Sequence, residues 1–145
     1  VPRPGFQKLE VYRLAERLAN EIWDATSDWH PFAKETVGRQ LVRAADSVGA
    51  NIAEGAGRGS FPDNRRFVRI ARGSLNEVQH WLRLSYQRQL LNDEQVQRLQ
   101  PIIEELGPRL NAYLKSIGKV PSASPERVRG EKEAPRHKRP RTTDN

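Results

Sequence analysis

The chain carries three histidines, His30, His80 and His137, and their spacing gathers no metal site and no acid–base pair. One falls in an expected loop, one in the middle of an expected helix, and one near the C-terminus. No Glu-x-x-His pair recurs on two helices, as a di-metal carboxylate bundle requires. Glu54 and Glu77 lie beside apolar stripes, but two isolated carboxylates do not make a general acid and its base. The sequence has no cysteine, which removes thiolate nucleophiles, disulfides and thiolate-held zinc or iron–sulfur sites. The reading is a non-enzymatic protein with no cofactor.

Glycines at 55, 57 and 59 invite a phosphate-loop reading. That loop needs a strand before it, and a lysine followed by serine or threonine after it. Here a helical pattern precedes the glycines and the lysine is missing, so the nucleotide-loop reading fails. What survives is a helix N-terminus near Ser60, whose amides can take an anion.

Arginine is the sharper signal. Between Gly38 and Arg72 stand Arg39, Arg43, Arg58, Arg65, Arg66, Arg69 and Arg72, with no lysine. Asp46, Glu54 and Asp63 are the opposing acids, which leaves the segment at +4. Arg39 and Arg43 stack at i, i+4, while Arg65, Arg69 and Arg72 share another helical face. A tight loop between the second and third helices would bring these groups onto one basic surface. The planar guanidinium fork suits phosphate oxygens. The competing reading is a solvated face laced with intrahelical ion pairs, for example Arg43 with Asp46.

The 145 residues make one domain with a modest core, and the net charge of +7 favours a polyanionic partner. No stretch approaches the roughly 18 apolar residues of a membrane span. The opening Val1-Pro2-Arg3-Pro4-Gly5 lacks a secretion signal's apolar region, so the cytoplasm is the expected location.

Four amphipathic helices must position these groups. Val11, Leu14, Ala15, Leu18 and Ile22 recur at three and four residues and predict a first helix from Leu9 to Ser27. Residues 28 to 33, with Pro31, read as a connection. A second helix is expected from Lys34 to Gly55, with Leu41, Val42, Ala45, Val48, Ile52 and Ala53 as its apolar side; its small residues make it the innermost helix, and close packing would explain Gly49. Ser60 caps a third helix, with Asp63 at N3 and Pro62 in the first turn, running to about Leu91. Its stripe is read as Phe67, Ile70, Ser74, Val78, Trp81 and Ser85. Asn92 or Asp93 caps the fourth, whose stripe of Val96, Leu99, Ile103, Leu106, Leu110, Tyr113, Leu114 and Ile117 meets a kink or restart at Pro101 and Gly107-Pro108. With short connections, the arrangement is an all-α, antiparallel up-down-up-down four-helix bundle over 1–117. Residues 118–145 hold four prolines and eight basic against four acidic residues, and read as a basic, disordered tail able to contact phosphate.

The run Arg39-Gln40-Leu41-Val42-Arg43-Ala44-Ala45-Asp46-Ser47-Val48-Gly49-Ala50-Asn51-Ile52-Ala53-Glu54-Gly55 resembles the signature of the bacterial four-helix-bundle proteins first noted as reading frames in 23S ribosomal RNA intervening sequences. Phe6 to Tyr12 and Ala71-Arg72-Gly73-Ser74-Leu75-Asn76-Glu77 look like that family's other signatures. The resemblance covers Phe6 to Ile117. It implies a ring-shaped homo-oligomer, a pentamer among known members. It also implies kinship with the accessory variability determinant of diversity-generating retroelements, a basic ring that associates with a reverse transcriptase and with nucleic acid. Asn51, Glu54, Gly55, Gly73, Ser74 and Glu77 match the characteristic positions. Their implied role is structural: Asn51, Glu54, Ser74 and Glu77 join a polar network between the second and third helices, and Gly73 permits close approach. Pro101, Gly107-Pro108 and Gly49, which stands where the family often has proline or alanine, depart from the pattern.

Two functions follow as expectations. One is an accessory nucleic-acid-binding protein that presents the seven arginines to RNA or DNA. The other is a structural module with a protein partner, for which exposure of Trp23, Trp29, Phe61 or Trp81 would speak, since core packing is the usual fate of such side chains.

Overall fold

The computed structural model describes residues 5–119. The tail from 120 onward, with its basic cluster, lies outside the described residues. Four long helices carry the fold: α1 (Glu10–Ser27), α2 (Arg39–Ala56), α3 (Phe61–Gln87) and α4 (Asp93–Ser116). A short 3-10 helix, Gly5–Lys8, precedes them, and no strand occurs among the described residues. They form a four-helix bundle.

α1 follows the expected stripe: Val11, Leu14, Ala15, Leu18 and Ile22 are all buried. The chain then turns in fewer residues than the sequence reading allows. Pro31 starts a helical turn, Pro31–Ala33, instead of filling a connection. Proline suits the first helical position because its missing N–H has no partner there anyway. His30 caps this turn, its Nδ1 accepting from the Phe32 amide at 3.2 Å. The turn passes without a break through a π-helical segment, Lys34–Gly38, into α2.

Ser60 caps α3 as expected, its hydroxyl accepting from the Asp63 amide at 3.3 Å, with Pro62 in the first turn. The inward stripe of α3 is centred on Val68, Ala71, Ser74, Leu75, Val78 and Ser85. Ile70, expected inward, is 43% exposed, and Val68 is fully buried in its place. α3 ends at Gln87, four residues short of Leu91. Gln89 takes a left-handed φ of 62° and the Leu90 amide bonds back to the Ser85 carbonyl at 2.8 Å, a reversal that tucks Leu91 into the core.

α4 opens on a full capping box between Asn92 and Gln95, with bonds of 2.8 and 3.0 Å. It then runs from Asp93 to Ser116 without the expected restart, although Pro101 and Pro108 both lie inside it. Each proline forfeits one bond, to the carbonyls of Gln97 and Glu104. Those residues and the prolines themselves are exposed, so water can serve the freed acceptors. Ile102 takes the buried place expected for Ile103, which is half-buried.

The core gathers Leu18 and Ile22 from α1, Leu41, Val48 and Ile52 from α2, Val68 and Val78 from α3, and Leu106 and Leu110 from α4. Each such side chain contributes about 1.5–3 kcal/mol by burial. α2 is the packing centre. Gly55 lets α3 approach: a Cβ there would stand 2.7 Å from Asn64 Oδ1, 3.0 Å from Phe67 Cβ and 3.1 Å from the Asn64 carbonyl oxygen. Gly49, expected to be forced by close packing, has room. A Cβ there would meet Tyr12 at 3.6 Å and Ala15 at 3.7 Å, ordinary contact distances.

Gly49→Ala should therefore stabilise the fold by about 1 kcal/mol, the helix-propensity difference. Gly55→Ala should destabilise it by about 1–3 kcal/mol through overpacking. Urea denaturation of the two variants beside the parent chain checks both signs.

Candidate nucleic-acid interface

Small polar groups fix how α2 and α3 meet. The Ser47 and Ser74 hydroxyls lie 2.9 Å apart across the helix pair. Asn51 Nδ2 donates to the Ser47 carbonyl at 2.8 Å and to the Ser47 hydroxyl at 3.0 Å. Asn51 and Ser74 thus join the network implied by the family signature, and Ser47, which the sequence reading passed over, is its hub. Its place one turn before Asn51 in a run of small residues was the available signal.

The other implied members stand elsewhere. Glu54 pairs with Arg58 at 2.7 Å on the surface. Glu77 accepts from the Trp81 indole N–H at 3.5 Å, also at the surface. Gly73 is exposed, and a Cβ there would meet nothing within 4 Å, so it mediates no close approach among the described residues. Both carboxylates carry charges that burial would penalise, which is why water keeps them.

The turn Gly57–Ser60 and the first half of α3 gather five of the seven arginines. Arg58 and Arg66 both place their guanidinium carbons over the Phe67 ring, at 4.8 and 4.9 Å from its centroid, a cation–π contact that orients them. Arg65 Nη1 donates to the Ile117 carbonyl at 3.1 Å, which ties the end of α4 to this corner. Arg72 Nη1 reaches Asn111 Oδ1 at 3.4 Å. Arg69, between them on α3, is exposed. Glu54 is the one acid paired with this group among the described residues.

Arg39 and Arg43 do not join that corner. They lie at the start of α2, whose 18 residues span about 27 Å. The single basic surface expected from the sequence is therefore two. The second lies in a groove between the end of α1 and the start of α2, lined by Trp23, Lys34, Arg39, Val42, Arg43 and Asp46 among others. Neither Arg39 nor Arg43 makes an ion pair among the described residues, so the Arg43–Asp46 pairing of the competing reading is not formed. Desolvation in the groove raises the Asp46 carboxyl above its ordinary value.

Among the aromatics, Trp29 and Trp81 pack against the core, whereas Trp23 and Phe61 are 62% and 61% exposed. His30 is spent as a helix cap and His80 lies edge-on to Trp81 at 4.9 Å; His137 lies outside the described residues. Among the described residues, no cluster of histidines or carboxylates is arranged to hold a metal ion, and no helix is long and apolar enough to cross a membrane.

A helical bundle with a small-residue seam and arginines clustered at the turn beside it is the class of protein that these features define. The chain belongs to the 23S rRNA-intervening sequence protein family, whose model matches residues 7–112. It is also similar to a crystal structure, at 1.70 Å, of a protein with unknown function from the S23 ribosomal protein family of Bacteroides thetaiotaomicron VPI-5482. The two share 24% identity and a TM-score of 0.64, over 72% of this chain and 98% of that one. That likeness bears on the fold alone. No curated protein matches.

Ser47→Ala should destabilise the chain by about 1–2 kcal/mol, because the Ser74 hydroxyl loses its partner in a seam that water does not reach freely. Glu54→Ala and Glu77→Ala should each change stability by less than about 0.5 kcal/mol; chemical denaturation separates the two cases. A raised carboxyl pKa means that folding favours protonated Asp46, so the ionised form detracts from stability above the carboxylate range and the penalty vanishes below it. Asp46→Asn should raise Tm modestly at about pH 7 and by less and less toward about pH 3, as thermal melts across that range would record.

Proposed function

We propose that this chain is a non-enzymatic accessory protein that binds nucleic acid, RNA or DNA, through the arginines beside the α2–α3 turn. The observation that carries the reading is the gathering of Arg58, Arg65, Arg66, Arg69 and Arg72 around one corner with Glu54 as the single paired acid. Guanidinium groups held by a ring face, a helix-end carbonyl and a neighbouring amide keep N–H donors directed outward at little entropic cost on binding. Contacts of this kind read phosphate and not base edges.

The bundle is up-down-up-down and antiparallel in this reading. Support comes from the pairings Ser47 with Ser74 and Gly55 with Asn64, whose order reverses between α2 and α3. It assembles as a homo-oligomeric ring, a pentamer, and works in the cytoplasm with a reverse transcriptase as protein partner. The ring and the reverse transcriptase rest on the resemblance to the retroelement accessory determinant, and the location on the sequence expectation. Exposed Gly73 suits a subunit contact, since a glycine inside an exposed helix costs about 1 kcal/mol with no return inside the chain.

A second reading, a structural module with a protein partner alone, is favoured by one observation. Phe61 and Ile70 are 61% and 43% exposed on the same helix as the arginines, and apolar side chains among arginines are typical of protein interfaces.

Fluorescence anisotropy of a labelled structured RNA and of duplex DNA, titrated at several salt concentrations, tests the first reading. The parent chain should bind with little sequence preference and lose affinity steeply with salt. Replacing Arg65, Arg69 and Arg72 by glutamine should weaken binding and flatten the log–log salt slope by roughly 2.7. Unchanged binding by that variant overturns the site. Absence of binding by the parent chain favours the protein partner, and sedimentation showing a monomer at tens of micromolar overturns the ring.

A further inference from the structure

The groove between α1 and α2 holds a combination that phosphate binding alone does not use. Its volume is about 550 Å³, within the range of small-ligand sites. On one wall stands Trp23, the most exposed of the three tryptophans, with 62% of its surface open. The backbone beneath it is pinned: the Trp23 carbonyl accepts from the Thr26 hydroxyl at 3.2 Å and from the Ser27 hydroxyl at 2.6 Å. Lys34 Nζ donates to the Ser27 carbonyl at 3.1 Å, which fixes the ammonium at the mouth and leaves it two further hydrogens to donate. Arg39 and Arg43 lie one helical turn apart on the opposite wall, without ion pairs among the described residues. Three cations thus face one carboxylate, Asp46.

We propose that this groove binds single-stranded nucleic acid, RNA or DNA, by stacking an unpaired base on the Trp23 indole while Lys34, Arg39 and Arg43 hold the adjoining phosphates. An open indole face beside fixed cations is the arrangement that single-strand binders use, because every base has a π-face and every linkage a charge. A duplex offers the phosphates but keeps its base faces stacked inside. Val42 extends the apolar floor, and the Asp46 carboxylate can accept from an exocyclic amino group, as acidic side chains do from cytosine. The inference rests on the proposed nucleic-acid function and divides it between two surfaces: the α3 arginines for any phosphate backbone, and the Trp23 groove for unpaired strands.

The test uses the full chain with labelled oligo(U) and oligo(dT), and a hairpin duplex as control. Trp23→Ala should weaken single-strand binding roughly 5- to 100-fold, the range of a lost base–aromatic stack, while duplex affinity stays unchanged. Trp23→Phe, which keeps a π-face, should retain most of the single-strand affinity. Arg39→Gln with Arg43→Gln should flatten the single-strand salt slope by roughly 1.4. Tryptophan emission should be quenched by oligo(U) in the parent chain and not in Trp23→Phe. Thermal melts confirm that these surface variants fold. Single-strand affinity unchanged in Trp23→Ala overturns the groove, and so does duplex binding without single-strand binding; both outcomes leave the α3 surface standing. Loss of single-strand and duplex affinity in equal measure also overturns it. Failure of the parent chain to bind any of the three probes overturns both this inference and the function on which it rests.

Discussion

The close approach of α2 to α3 is the constraint from which the rest of the bundle follows. Gly55, Ser47 and Ser74 keep the seam thin, and only at that spacing can the Ser47 and Ser74 hydroxyls meet at 2.9 Å. A seam of small side chains buries little apolar area per residue, so it stabilises less by hydrophobic transfer than a leucine seam would. It specifies more. Hydroxyls that must find each other fix rotation and register, and a one-residue slip would leave them unpaired in the interior. The larger residues, Leu18, Ile22, Leu41, Leu106 and Leu110, then fill the space between that helix pair and α1 and α4.

That thin seam also sets the charge distribution. With the two helices close and joined by a short glycine-rich turn, the last residues of α2 and the first turns of α3 crowd together, and beyond the Arg58–Glu54 pair the guanidinium groups there need other anchors than acids. They find them in the Phe67 ring and the Ile117 carbonyl. Arginine tolerates such anchors because its charge is spread over a plane that can stack and donate at once. The other basic surface has a different origin. It lies where the end of α1 meets the start of α2, and its Lys34 is held by the Ser27 carbonyl.

Much of this was legible in the chain. The α1 stripe, the Ser60 cap, the Asn92 cap and the membership in the family could all be read from spacing and motif. The misreadings have physical causes. Pro31 reads as a breaker because a proline after tryptophan and histidine looks like a loop, yet its fixed φ starts a helix as readily as it ends one. Pro101 and Pro108 were expected to divide α4, but the bundle's packing outweighs a lost hydrogen bond when the freed carbonyl faces water. Val68 replaced Ile70 on the inner face of α3, since the two choices differ by a rotation that periodicity alone resolves poorly over a long helix. Glu54 and Glu77 were drawn into the seam by their place in the signature, and only the desolvation of charge says that they stay outside. The separation of Arg39 and Arg43 from the other five follows from helix length, which sets a distance that composition hides.

The π-helical segment Lys34–Gly38 gives the chain a rotational joint. A π turn closes i→i+5 where an α turn closes i→i+4, so it takes in one residue more per turn and shifts the phase of everything on one side relative to the other by about 100°. Ala33, Val37 and Leu41 all face the core at intervals of four, a spacing that a straight α-helix would let wind away from it. The wider turn resets the winding. It lets the Pro31 turn keep Trp29 seated against Gly38 while α2, farther along, turns Arg39 and Arg43 outward. The phase of Arg39 and Arg43 relative to the Pro31 turn is therefore set within this one segment, whose own Lys34 and Gly38 line the groove.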